Sequence, residues 1–160
     1  MSKDPDIYFV SGPEAPELAD AGIMLQEMYF SMEQQGLMVP LAPGGQDKWL
    51  NSVRQSIGRF SCLVMAKSQD SLMGFAYGAV RFLPDYLGSD KVGVITHIYV
   101  RESHRGSGIG GNMLDKLEIW FREKGVSSIE LQVVSGNKEA MRFWEQHSFK
   151  NELTQYRKFF

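Results

Sequence analysis

The period of apolar positions changes several times along the chain, and each change marks an element. Asp6 to Val10 is a short apolar run that reads as a first or edge strand, broken by Ser11-Gly12-Pro13. From Glu14 to Gln35, Leu18, Ile23, Leu25, Met28, Tyr29 and Met32 recur at roughly helical spacing, with Gly36 as a stop. Val39 to Gly45 mixes prolines with glycines and reads as a loop, and a second helix covers Gln46 to Ser56. Phe60 to Ala66, Leu72 to Phe82 and Val92 to Val100 are apolar runs separated by Lys67–Ser71 and Pro84–Asp90, which predicts an antiparallel meander. A helix from Asn112 to Lys124 carries Met113, Leu114, Leu117, Trp120 and Phe121 on one stripe, and Gly125 ends it. Ser128 to Val134 alternates as a strand, Lys138 to His147 is helical, and Glu152 to Phe160 alternates enough to be a final strand. Because a helix joins the strand ending at Val100 to the strand starting at Ser128, the two are expected side by side and parallel. The pattern predicts one α/β (more narrowly α+β) domain over residues 1–160, with a mixed, mostly antiparallel sheet of about six to seven strands flanked by about four helices.

Composition narrows the function classes. The 160 residues carry a formal charge of −2, so no basic surplus points to nucleic acid or an anionic membrane. Met1 to Asp6 has no apolar signal-peptide core, and no apolar run approaches transmembrane length. The single cysteine, Cys62, gives no disulfide framework and fits a reducing, cytoplasmic setting. It lies in an apolar run with no histidine near in sequence, which favours a buried strand residue over an acyl-carrying nucleophile. The three histidines and one cysteine show no metal-ligand spacing, so no metal is expected.

The chemistry concentrates in His104-Arg105-Gly106-Ser107-Gly108-Ile109-Gly110-Gly111, between a strand and a helix. Free N–H groups at a helix start attract an anion, and glycines let a phosphate approach the backbone, so the stretch reads as a pyrophosphate cradle. No Lys-Ser or Lys-Thr follows the glycines, which excludes the P-loop. Gly106, Gly108 and Gly111 do match G-x-G-x-x-G, with Glu130 further on. A dinucleotide fold, however, needs several more strand–helix units than the remaining third of the chain holds, and Glu130 falls inside a strand. A dinucleotide-dependent oxidoreductase is therefore a distant reading.

Arg105-x-x-Gly108-x-Gly110 resembles the Q/R-x-x-G-x-G/A signature of the GNAT superfamily of N-acetyltransferases. Ile98-Tyr99-Val100 followed by His104-Arg105-Gly106 looks like that family's fourth strand and its exit. Asn137 to Phe149 is similar to its N-x-x-A-x-x-F/L-Y-x-x-x-G-F segment, and the two motifs together span roughly residues 92 to 150. The resemblance implies acetyl-CoA as co-substrate and direct attack of a primary amine in a ternary complex. It implies that Arg105, Gly106, Ser107, Gly108, Ile109, Gly110 and Gly111 hold the pyrophosphate, that the backbone N–H of Ile98 stabilises the oxyanion, and that Val100 holds the pantetheine arm. Asn137 reads as a cofactor hydrogen-bonder, a helix N-cap, or both. It further implies that the first two helices, with the loop Leu37–Leu41, line the acceptor site, and that the acceptor is a small-molecule or peptide amine. A homodimer through the sheet or its terminal strands is also implied.

A free amine titrates near ~10.4, so a base is useful, and His97 beside the oxyanion donor is the candidate. Simple alternation counts against it: His97 and Tyr99 point away from Val94, Thr96 and Ile98, unless a bulge turns the strand. Thr96 could orient a water. The family's usual acid for the departing thiolate is a tyrosine, but here that position is Trp144, whose indole donates a hydrogen bond without acting as an acid. Trp144 is left to pack on the pantetheine arm, with water or Tyr156 as the proton source. The same departure defines the alternative reading, a non-catalytic acyl-CoA-binding or sensing module.

Overall fold

A computed structural model describes residues 4–160. Among these residues five strands form one sheet in the order β1 (Asp6–Phe9), β2 (Ser61–Ser68), β3 (Ser71–Phe82), β4 (Lys91–Val100) and β5 (Ser128–Leu131). Neighbours are antiparallel except β4 and β5, which are parallel as the intervening helix requires. Two helices, α1 (Glu17–Gln34) and α2 (Gly45–Ser56), cover one face. The other face is covered by α3 (Ile109–Glu123) and α4 (Lys138–Gln146). The α+β class and the helix count are as the periodicity predicts, whereas the strand count is lower.

Strand β2 runs between the two layers. Cys62, Val64 and Ala66 pack toward α3, and Leu63 and Met65 toward α1 and α2, so the run is apolar on both faces. The stripe Met113, Leu114, Leu117, Trp120 and Phe121 of α3 is buried against the sheet as its spacing demands. Phe121 sits directly on the strands because Gly93 beneath it has no side chain. A Cβ there would stand 2.7 Å from the Phe121 ring.

Two predicted strands are corrected. The tail Glu152–Phe160 has no regular structure, and Leu153 and Tyr156 are 86% and 91% exposed. An alternating pattern forms a strand only where a neighbour takes its backbone bonds and a core takes one of its faces. The strand expected to reach Val134 stops at Leu131, whose partner Ile95 is the last β4 residue paired with β5. Among the described residues, no helix is long and apolar enough to cross a membrane.

Candidate functional site: the split between β4 and β5

Strand β4 carries a bulge. Tyr77 of β3 pairs with His97 and Gly78 with Ile95, so Thr96 has no partner across the ladder. Its hydroxyl donates to the Tyr77 carbonyl at 3.3 Å. The extra residue resets the faces. Gly93 and Ile95 look toward α3, and so do Ile98 and Val100, while His97 and Tyr99 join the α1/α2 side. Alternation had grouped Val94, Thr96 and Ile98; the bulge dissolves that group and brings His97 to the side of α1 and α2.

Beyond Ile95, β4 continues with no strand on its β5 edge. The Arg101 N–H donates to Met73 of β3 at 2.8 Å. Directions alternate along a strand, so Tyr99 also addresses β3, while the N–H groups of Ile98 and Val100 face the split. The Val100 carbonyl, on the same edge, accepts from Arg105 Nε at 2.8 Å. The split is lined from α1 by Met28 and Met32, from β4 by Ile95 to Ile98, and from the β5–α4 side by Leu131 to Val134, Asn137, Ala140 and Trp144. Helix α1 is held over it by a close backbone approach: a Cβ at Gly136 would meet the Gln35 carbonyl oxygen at 2.0 Å, so only glycine fits.

The glycine turn opens at one end of the split. Gly106 and Gly108 have φ of 78° and 82°, and the space where their side chains would stand is open. Helix α3 starts earlier than its apolar stripe suggests, at Ile109, because Gly108 is its N-cap. Its first backbone bond runs from Asn112 to Gly108 at 3.0 Å, leaving the N–H groups of Ile109, Gly110 and Gly111 at the free helix start. Gly110 and Gly111 serve packing as well, since a Cβ on them would lie 3.3 Å from Phe143 and 3.2 Å from His147. Ser107 closes the turn by donating to the His104 carbonyl at 2.7 Å. Arg105 folds back on the exit of β4, its guanidinium 5.7 Å from the Tyr99 ring centre. These residues fit a diphosphate: an anion at a helix start, with backbone exposed where bulk would obstruct it.

His97 sits among rings, 5.6 Å from Trp49, 6.2 Å from Tyr29 and 6.3 Å from Phe75 and Tyr77. Burial lowers its pKa from 6.5 to about 4, so it is neutral at physiological pH. Its Nδ1 is buried without a hydrogen-bond partner, as is Nε1 of Trp49. Burial first, and then the nearby Glu27, raise the pKa of Tyr99. Glu27 is itself held by both Nε and Nη2 of Arg101, at 3.1 and 3.0 Å. Asn137 caps α4, accepting from Ala140 N–H at 3.0 Å, and also lines the split. Trp144 is buried between Phe143 and Phe149.

Tyr156 lies in the exposed tail and is not among the residues lining the split. The loop Leu37–Leu41 does not line it either; Met28 and Met32 of α1 do. Burial pushes the Cys62 thiol up to about 12, which leaves it inert. Among the described residues there is no group of three or more potential metal ligands.

Residues 25–149 match the acetyltransferase (GNAT) family. The chain belongs to that family. No curated protein matches it. Among solved structures with a GNAT-like course of chain is a transcriptional regulator from Bacillus halodurans, 18% identical, with TM-score 0.75 over 98% of this chain and 99% of that one. A ribosomal-protein-alanine N-acetyltransferase from Brucella melitensis is 20% identical, with TM-score 0.69 over 99% and 100%. A protein from Clostridium acetobutylicum described as a predicted acetyltransferase, solved with acetyl-CoA, is 16% identical, with TM-score 0.72 over 96% and 95%. At these identities the likeness is one of fold.

Proposed function

We propose that this GNAT-family chain is an acetyl-CoA-dependent N-acetyltransferase acting on a primary amine in a ternary complex. The observation that carries the reading is the split itself. Two backbone N–H groups on β4 lose their strand partner at the point where a glycine-rich helix start opens and a neutral imidazole arrives. In this reading the N–H groups of residues 106–111 and the positive end of α3 hold the diphosphate, with the Arg105 side chain beside them. Val100 and Trp144 flank the pantetheine arm, and Asn137 borders it. A bound acetyl thioester supplies the electrophilic carbon.

The Ile98 N–H is fixed by the sheet before any substrate arrives, so it stabilises a developing oxyanion without reorganising; losing one such donor costs on the order of a hundredfold in rate. His97 accepts the proton of the attacking amine on its imidazole, directly or through a water. With a pKa of about 4 it is a weak base, better suited to passing a proton on than to keeping it. Thr96 spends its proton on Tyr77 and has lone pairs left to hold that water. Trp144 cannot return a proton to the thiolate, and solvent takes that role.

Thiol release from acetyl-CoA across an amine panel, for the wild type and Gly108→Asp, tests the reading. Release that depends on one amine and disappears in the variant supports it. Binding of CoA by calorimetry without release on any amine favours the acyl-CoA-sensing alternative, to which Trp144 belongs. Absence of CoA binding sinks both.

A further inference from the structure

The Val100 carbonyl faces the split, yet it is already engaged. Arg105 Nε donates to it at 2.8 Å, and the Arg105 guanidinium lies 5.7 Å from the Tyr99 ring centre. Its neighbour at the exit of β4, Arg101, is fully committed: Nε and Nη2 hold Glu27 at 3.1 and 3.0 Å, and Nη1 holds the Leu72 carbonyl at 2.9 Å. Arg105 has no such carboxylate. Among the described residues the ion pairs are Arg81–Glu130, Arg101–Glu27 and Arg122–Glu118. The charge of Arg105 is therefore unmatched, and its side chain is exposed and free to turn. The chain reverses at Gly106, with φ of 78°, so Arg105 stands at the join of two surfaces. Behind it is the free edge of β4, and ahead of it are the N–H groups of the glycine turn.

Two needs compete for this one side chain. A cofactor arm that carries amides, laid along the free edge of β4, pairs with that edge as a strand would, and its amide N–H needs the Val100 carbonyl. The guanidinium holds that acceptor from the split side. A diphosphate at the start of α3 offers the guanidinium anionic oxygens in place of one neutral carbonyl, a charge-assisted match that its planar fork suits. Resting on the CoA-dependent reading, we infer that Arg105 is a specificity-determining gate. Its side chain closes the Val100 carbonyl until a diphosphate draws it away, so the split admits an arm that bears a diphosphate and resists the same arm without one.

The test is one of binding. Calorimetry compares CoA with pantetheine, the same thiol-ended arm without diphosphate or nucleotide, on the wild type and on Arg105→Met. Methionine keeps an apolar stem beside Tyr99 and has no donor. In the variant CoA is expected to bind about tenfold more weakly, because a charge-assisted contact is lost. Pantetheine is expected to bind about tenfold more tightly, because the carbonyl is released. Weaker binding of both ligands would show that Arg105 only attracts or packs, and overturns the gate; an unchanged pantetheine affinity overturns it too. Inorganic pyrophosphate gives a second measurement. At a concentration that fills the glycine turn it should tighten pantetheine binding about tenfold on the wild type and leave Arg105→Met unaffected. No tightening on the wild type, or equal tightening on the variant, overturns the inference. In all these outcomes CoA binds the wild type and the cofactor reading stands. Failure of CoA to bind the wild type overturns that reading, and the gate with it.

Discussion

Strand β4 is two different objects. From Val92 to Ile95 it is laddered on both edges, to β3 and to β5, and Gly93 on this half sits beneath Phe121. From His97 to Val100 it is laddered to β3 alone. The first half has no backbone group to spare and can only support. The second half has N–H groups held rigid by one neighbour and released by the loss of the other, which is what an oxyanion or an amide-rich cofactor arm requires. The bulge at Thr96 separates the halves, and it also brings the imidazole of His97 to the α1/α2 side.

Proline substitutions break this comparison most sharply. Tyr99→Pro removes an N–H that addresses β3 and is expected to cost on the order of 3 kcal/mol, read as a large fall in the midpoint of chemical denaturation. Ile98→Pro removes an N–H that faces the split. Its denaturation midpoint should stay near that of Ile98→Ala, while kcat falls on the order of a hundredfold. Equal destabilisation by the two prolines would show that the halves do not differ as described.

Overpacking separates support from binding. Gly93→Val forces a side chain against Phe121 and is expected to destabilise by about 1 to 3 kcal/mol while leaving CoA affinity, measured by calorimetry on the folded fraction, unchanged. Gly108→Asp, by contrast, puts a carboxylate and a strained φ at the cradle and should abolish that affinity.

His97→Phe removes a buried atom that lacks a partner, so stability should rise by about 1 kcal/mol while kcat falls on the order of a hundredfold. A fall in both would make His97 a packing residue. The same residue governs a pH dependence. As pH drops below 6.5 the unfolded chain protonates His97, whereas the folded chain holds it neutral to about 4. Stability is therefore lost through that window, at up to about 1.4 kcal/mol per pH unit. Denaturation of His97→Phe across the same range should lack that component.

Much of the fold was legible because burial imposes a period. The α3 stripe, the two-faced apolar run of β2 and the glycines of the cradle each follow from one local rule, and the family resemblance rested on the cradle and the Asn137–Phe149 segment. The tail misled because alternation describes a strand's sides and says nothing about whether a neighbouring edge exists. The bulge left no local trace: Thr96 is an ordinary strand residue, and only the register against β3 reveals it as surplus. Met32 was read only as part of a helical apolar stripe, since an apolar position facing a core and one facing a cleft look alike in sequence.

What the sequence determined by itself is the order of elements and the glycine turn that leads into α3, because these depend on residues adjacent in the chain. What the tertiary structure decided is where β5 stops along β4, which face His97 takes and what stands opposite it. Those depend on the register between strands far apart in sequence and on α1 being seated at Gly136, relations that no local pattern encodes.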